Sequence, residues 1–236
     1  MSESATPADR DGQRPLGRRV WRGLLDVVVI VVVALLVSFL VKTFLIRPFF
    51  VPSESMENTL QIGDRVVVDE IGPRLSGIHR GDVVVFRDPG NWLPARSGPA
   101  PGWLDQALTA VGLSAADSDQ HLVKRVIGIG GDHVACCTAE GKVTVNGVAI
   151  TEPYILLPPE QKDASLVPFS VTVPEGSLWV MGDNRDHSAD SRFHTSGPGG
   201  GSVPVSGVVG RVFVIMWPPG RWSWVGSYPE TFAAVP

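Results

Sequence analysis

Residues 24–46 read LLDVVVIVVVALLVSFLVKTFLI, and no other stretch constrains the chain as much. A helix needs roughly 20 mainly apolar residues to cross the hydrocarbon layer of a bilayer, where its backbone has no hydrogen-bond partner except itself. Asp26 and Lys42 fall near the two ends, where a charge reaches the headgroups. A buried core helix would rarely be apolar on every face. A cleaved secretory signal would have a shorter apolar core ending in a small-x-small site, and none follows here. Residues 23–46 are therefore expected to form a transmembrane helix. Arg10, Arg14, Arg18, Arg19 and Arg22 precede it, and such an excess marks the cytoplasmic side. Residues 1–22 then form a cytoplasmic tail, and residues 47–236 lie outside the cytoplasm. The stretch 208–217 is too short to return and contains Arg211. The expected topology is single-pass, with the lipid bilayer as a partner.

The formal charge of −4 and the scattered basic residues leave no basic stripe, which excludes nucleic acid as a partner class. His79, His121, His133, His187 and His194 show no paired metal spacing, so no metal and no other cofactor is expected. Cys136 and Cys137 are neighbours and cannot staple distant parts of a fold. Two reduced thiols are the expectation, with a ring between them the alternative in an oxidising compartment. The oligomeric state is left open.

After the apolar stretch, short apolar runs alternate with Gly, Pro, Asp and Asn: DRVVVDEI, GDVVVF, HLVKRVIGI, KVTVNGVAI, FSVTV, SLWVMGD and VVGRVFVIMW. This is strand-and-turn punctuation, and it predicts a mainly antiparallel β domain. Asn146 and Gly147 separate two alternating runs, and both tolerate positive φ, so residues 142–150 are expected to form a hairpin. Two segments depart from the pattern. Residues 87–120, rich in Pro, Gly and Ala, read as a surface insertion with a short helical candidate at 103–111; Trp92 and Trp103 either touch the membrane interface or pack the loop onto the domain. Residues 194–206 read as a flexible loop, because no helix follows their glycine run.

Ser55 lies just beyond the apolar stretch, in VPSESMENTL, and Lys124 lies in the apolar run HLVKRVIG. A serine hydroxyl is a poor nucleophile until a base takes its proton, and a lysine can be that base only where its surroundings hold it neutral. The chain has four lysines against sixteen arginines, so a lysine in a greasy strand stands out. Arginine does not give up its proton in a protein, whereas a desolvated lysine can. Lys124 and Arg125 are adjacent, and in a strand they point to opposite faces, between Val123, Val126 and Ile127. Taken singly, each residue has a plainer reading: a turn serine, a lysine pointing to water, and, for residues 181–192, a solvated charged loop.

The pieces VPSESM (51–56), GDVVVF (81–86), HLVKRVIGIGGD (121–132) and MGDNRDHSADSR (181–192) stand in this order behind the apolar stretch. Together they closely resemble the motif boxes of the bacterial type I signal peptidases. The resemblance implies a signal peptidase-like, mainly antiparallel β fold with an N-terminal transmembrane helix in the bacterial cell membrane. It also implies a Ser-Lys serine endopeptidase that cuts signal peptides from exported preproteins after small residues of the Ala-x-Ala type. By motif, Ser55 resembles the nucleophile and Lys124 the general base. Ser53 resembles the oxyanion-hole serine and Ser188 the serine that orients the lysine. Asp183, Asp190 and Arg192 resemble supporting polar residues, the last two as an ion pair. Phe49, Val51, Met56, Leu60, Leu122 and Val123 match positions lining pockets for small substrate side chains. Three positions depart from the pattern: Glu54 where glycine is common, His187 where asparagine is common, and Gly130 in place of a proline. Glu54 brings a carboxylate near the site, with an expected bias on which residues are accepted beside the cut. The short stretch 133–178 implies a reduced cap. A self-cleaving repressor would need a DNA-binding module where this chain has its apolar stretch. S-x-x-K and G-x-S-x-G are both absent, which excludes penicillin-binding proteins and α/β-hydrolases. The alternative from another class is a catalytically inactive, membrane-tethered β module that binds exported peptides; retention of both Ser55 and Lys124 speaks against it.

Overall fold

The computed structural model describes residues 23–36, 46–90, 92–93, 102, 121–197 and 199–236. The chain divides into two compact units, Met1–Phe44 and Leu45–Pro236.

In the first unit residues 23–36 form helix α1. Its apolar side chains are exposed on every side, from Leu25 at 46% to Ile30 at 67%. No helix among the described residues is long and apolar enough to cross a membrane. The remainder of the expected span, residues 37–45, lies outside the described residues, as does the expected tail at 1–22. Ile46, assigned by the sequence to the end of the span, instead opens the first strand, because its backbone pairs with Asp69 of the second.

The second unit is mainly antiparallel β. Its strands are β1 (Ile46–Phe50), β2 (Arg65–Asp69), β3 (Val83–Arg87), β4 (His121–Ile129), β5 (His133–Cys136), β6 (Val143–Val145), β7 (Val148–Ala149), β8 (Phe169–Thr172), β9 (Ser177–Met181), β10 (Val203–Pro204), β11 (Val208–Trp217) and β12 (Ser223–Trp224). A short helix α2 (Gly72–Ser76) follows β2. The larger sheet runs β1-β2-β11-β3-β4-β9-β10, with β12 paired to β11, and the smaller runs β7-β6-β5-β8.

The sequence of β3 shows how the larger sheet is held. Val83, Val84, Val85 and Phe86 are all at most 1% exposed. Successive side chains of a strand point to opposite faces, so Val83 and Val85 join one apolar cluster with Val66, Val68 and Ile215, while Val84 and Phe86 join another with Val126, Val180 and Val203. A continuous β-branched run is what a strand covered on both faces requires. A third cluster joins the two sheets, with Val134, Val143 and Phe169 packed on Trp179 and Met181.

The sequence reads residues 194–206 as loop only, yet Val203 pairs with Leu178 to form β10. A two-residue strand is too short for alternation to reveal. Of the insertion, Arg87 still belongs to β3. Asp88 then accepts hydrogen bonds from the backbone of Gly90, Trp92 and Leu93, and Trp92 packs edge-on against Phe86 and stacks on His194 with ring centroids 4.3 Å apart. Of the two roles open to Trp92, the structure shows the packing one. Trp103 and the helical candidate lie outside the described residues. Cys136 and Cys137 form a disulfide rather than two thiols. Cys137 has left the alternation of β5, so the two sulfurs are free to face one another.

The expected hairpin is formed. Val145 pairs with Val148, and Asn146 and Gly147 take φ of 51° and 79° between them. A Cβ at Gly147 would meet nothing within 4 Å, so replacing Gly147 tests backbone conformation alone. Gly147→Ala is expected to lower stability by about 1 kcal/mol, read as a lower denaturant midpoint with an unchanged slope.

Candidate active site

β1 runs through Val51 into a single 3-10 turn, Glu54–Met56, which carries Ser55 to within reach of β4. The backbone of this turn is tied to the strand end opposite, since Asn184 N donates to the Ser55 carbonyl at 3.1 Å. Lys124 comes from the middle of β4, between β3 and β9. Its Nζ lies 2.6 Å from Ser55 Oγ. Lys124 is 3% exposed and Ser55 6%. Burial pushes the lysine pKa down from 10.5 to about 8; the carboxylates of Asp190 and Asp183 oppose the fall and the guanidinium of Arg192 assists it. A serine hydroxyl therefore stands within hydrogen-bond reach of an amine that loses its proton at about pH 8 rather than 10.5, an arrangement suited to activating the hydroxyl as a nucleophile. Ser53 is exposed, with its Oγ 3.4 Å from that of Ser55.

Around this pair the structure builds buried ion pairs. Arg192 grips Asp190 through Nε and Nη2, both at 2.8 Å, which is the pair the resemblance implied. Burial pushes the Asp190 carboxyl up, but the hydrogen bonds and charge of Arg192 and the Gly182 N–H more than offset it, leaving the pKa below the usual range. Asp183 is held by Arg125 Nε at 2.9 Å and Nη2 at 2.7 Å, and accepts a further hydrogen bond from Thr59. Arg125 is fully buried, with its guanidinium 4.0 Å from the Tyr154 ring centroid. The sequence assigned Arg125 only to the face opposite Lys124 and did not foresee this role. A third buried pair, Arg185 with Glu152, was also missed. The arginine-rich motif hinted at Arg185, whereas nothing near Glu152 in the sequence marked it.

Ser188 is buried, and its hydroxyl bears on the Asp190 carboxyl, whose pKa it helps to lower, rather than on Lys124, so the contact expected with the lysine is not made. Gly182 explains the crowding: a Cβ there would collide with the Ser188 side chain and the Ser55 carbonyl. Of the residues matched to substrate pockets, Phe49, Val51, Met56 and Leu60 form one apolar cluster with Val123 against it, while Leu122 packs in a different cluster with Val84 and Phe86.

The family model for signal peptidase, peptidase S26, matches residues 24–217. The chain is 39% identical to a probable signal peptidase I of Mycobacterium leprae, over 96% of this chain and 86% of that protein. It is 41% identical to signal peptidase I of Mycobacterium tuberculosis, over 93% of this chain and 80% of that protein. Among solved structures, a signal peptidase I from Enterococcus faecalis is similar at 24% identity and a TM-score of 0.37, over 57% of this chain and 95% of that one. A mainly antiparallel β fold and a match across most of the chain thus define a signal peptidase. The chain belongs to the peptidase S26 family and is a type I signal peptidase, a serine endopeptidase.

The lowered pKa of Lys124 has a thermodynamic consequence with a definite sign. Between about 8 and 10.5 the unfolded chain binds a proton at Lys124 that the folded chain does not, so stability should rise with pH across that window. The buried group is expected to destabilise the fold by about 3 kcal/mol at neutral pH relative to the alkaline limit. Denaturant unfolding of the full chain in detergent at several pH values checks this, and Lys124→Met should remove that part of the slope.

Proposed function

We propose that this chain removes N-terminal signal peptides from exported preproteins at the outer face of a bacterial cell membrane, with Ser55 as nucleophile and Lys124 as general base. The single observation that carries the reading is the buried contact of 2.6 Å between Lys124 Nζ and Ser55 Oγ. Neutral Lys124 takes the Ser55 proton as Oγ attacks the scissile carbonyl. The Ser53 hydroxyl and the Ser55 N–H receive the charge that develops on the carbonyl oxygen. The ammonium so formed returns its proton to the leaving amine, and water, activated by the same lysine, then releases the signal peptide from Ser55. Asp183, Asp190 and Arg192 hold the walls of the site, and Ser188, packed against Gly182 beside Ser55, is the serine assigned to orient the lysine.

The substrate binds as an extended strand. Phe49, Val51, Met56, Leu60 and Val123, which share one apolar cluster, and Leu122, which packs in another, are the residues assigned to the pockets that favour Ala-x-Ala before the cut. The apolar surface of α1 supports a bilayer anchor, and the arginines before it support a cytoplasmic N terminus. The curated relatives carry the name signal peptidase I, in accord with this substrate class.

The rate of cleavage should rise with pH through an apparent pKa near 8, the value burial gives Lys124, because only the neutral amine accepts the proton. Full-length protein in detergent, assayed on an Ala-x-Ala preprotein peptide with chemistry rate-limiting, should give this profile; a flat one would remove lysine as the base.

Lys124→Arg separates a base from a structural cation. Arginine preserves charge and much of the volume but stays protonated at any workable pH. Activity is expected to fall as far as in Ser55→Ala, because members of one catalytic unit fail together. Thermal unfolding measured beside it should show the variant folded, and a folded variant cutting at near the parent rate would overturn the assignment.

A further inference from the structure

Glu54 and His187 are two of the three positions that depart from the pattern of the type I signal peptidases, and they meet in space. His187 Nδ1 lies 2.7 Å from Glu54 Oε1, across 133 positions of sequence. An ionised carboxylate can only accept, so Nδ1 carries the hydrogen and donates it. The second ring nitrogen is 3.9 Å from Asp186, too far for a hydrogen bond. Each partner directly precedes a residue at the centre of the site, Glu54 before Ser55 and His187 before Ser188. Both are about half exposed, 48% for Glu54 and 56% for His187, and an exposed pair of this kind adds little to stability. The fold does not need it.

The turn that carries the nucleophile is anchored at its C-terminal end by Met56, buried in an apolar cluster, and is less restrained at its N-terminal end. It is three residues long, and its N-cap, Ser53, makes no side-chain capping bond. One backbone bond, from Asn184 N to the Ser55 carbonyl, ties it to the strand end opposite. A glycine at position 54 would leave the backbone beside Ser55 its widest freedom. Glutamate narrows that freedom and anchors its own side chain to the loop bearing Ser188.

We propose that Glu54 and His187 are a pair of positioning residues whose hydrogen bond locks the nucleophile turn onto the Ser188 loop and holds Ser55 Oγ in register with Lys124. The proposal rests on Ser55 being the nucleophile. Displacing a reacting atom by a fraction of an ångström lowers turnover more than it lowers binding, so the effect belongs in kcat.

The test is a double-mutant cycle on the full-length protein in detergent, with kcat and KM for an Ala-x-Ala preprotein peptide determined separately. Glu54→Ala and His187→Ala should each lower kcat roughly tenfold, with KM within about twofold and thermal unfolding unchanged. The double variant should be no worse than either single one, as expected for two groups acting through one contact. Glu54→Gln, whose amide oxygen still accepts from Nδ1, should recover most of the loss. Losses that multiply in the double variant, an unchanged kcat in either single variant, or a fall in kcat matched by loss of folded protein would each overturn the pairing. A Ser55→Ala control that still cleaves would instead overturn the nucleophile assignment on which the pairing stands.

Discussion

The site depends on an amine kept out of water. Lys124 sits in the middle of a nine-residue strand flanked by strands on both sides, and its burial holds its pKa near 8 against two carboxylates that pull the other way. In water the same lysine would hold its proton to about pH 10.4, leaving far less of the neutral amine near pH 8. The pKa therefore follows from the sheet: the β-branched runs that pack β3 and β4 on both faces also desolvate the amine. Removing a large apolar neighbour would loosen the fold and, by admitting water, raise that pKa.

Around the lysine, three arginine–carboxylate pairs are buried together: Arg125 with Asp183, Arg185 with Glu152, and Arg192 with Asp190. Such pairs are a weak source of stability, because desolvation absorbs much of the Coulombic gain, but breaking one by removing a single partner typically costs about 3–5 kcal/mol. Their value here is geometric. A bidentate guanidinium fixes both direction and distance, and Asp190 also receives the Gly182 N–H at 2.9 Å. Gly182 in turn abuts the Ser55 carbonyl and the Ser188 side chain. The chain of contacts from Arg192 to Ser55 thus runs through groups with few alternative positions.

Much of this is legible in the sequence, for reasons that vary by element. The long β-branched runs announce β2, β3 and β4, because alternation and branching leave few other structures open. Asn146–Gly147 announces its turn through the positive φ that both residues tolerate. The two-residue strands β10 and β12 carry no periodic signal and exist only through their partners, β9 and β11. Ser55 and Lys124 are legible as an odd pair of residue types, but their contact across 69 positions is a property of the closed sheet. Arg125 was legible as the neighbour of Lys124 and not as a buried ion-pair partner, since its burial depends on Tyr154 and Asp183 arriving from elsewhere. The Cys136–Cys137 bond was misjudged because sequence shows adjacency but not the departure of Cys137 from β5.

The same division separates what the fold must supply from what the chemistry adds. The buried lysine opposes folding at neutral pH, by about 3 kcal/mol on the pKa argument, a large fraction of the 5–15 kcal/mol by which native domains exceed their unfolded states. Burial offsets that cost on both faces of the larger sheet, where side chains of the size of Phe86, Met56 and Leu60 each contribute about 1.5–3 kcal/mol when fully enclosed. A domain that encloses a lysine amine in this way needs a core this well filled. Exposed contacts at the edge of the site, such as His187 with Glu54, can then vary without risk to the fold. Position within the structure decides which residues are constrained by stability and which are left to respond to function.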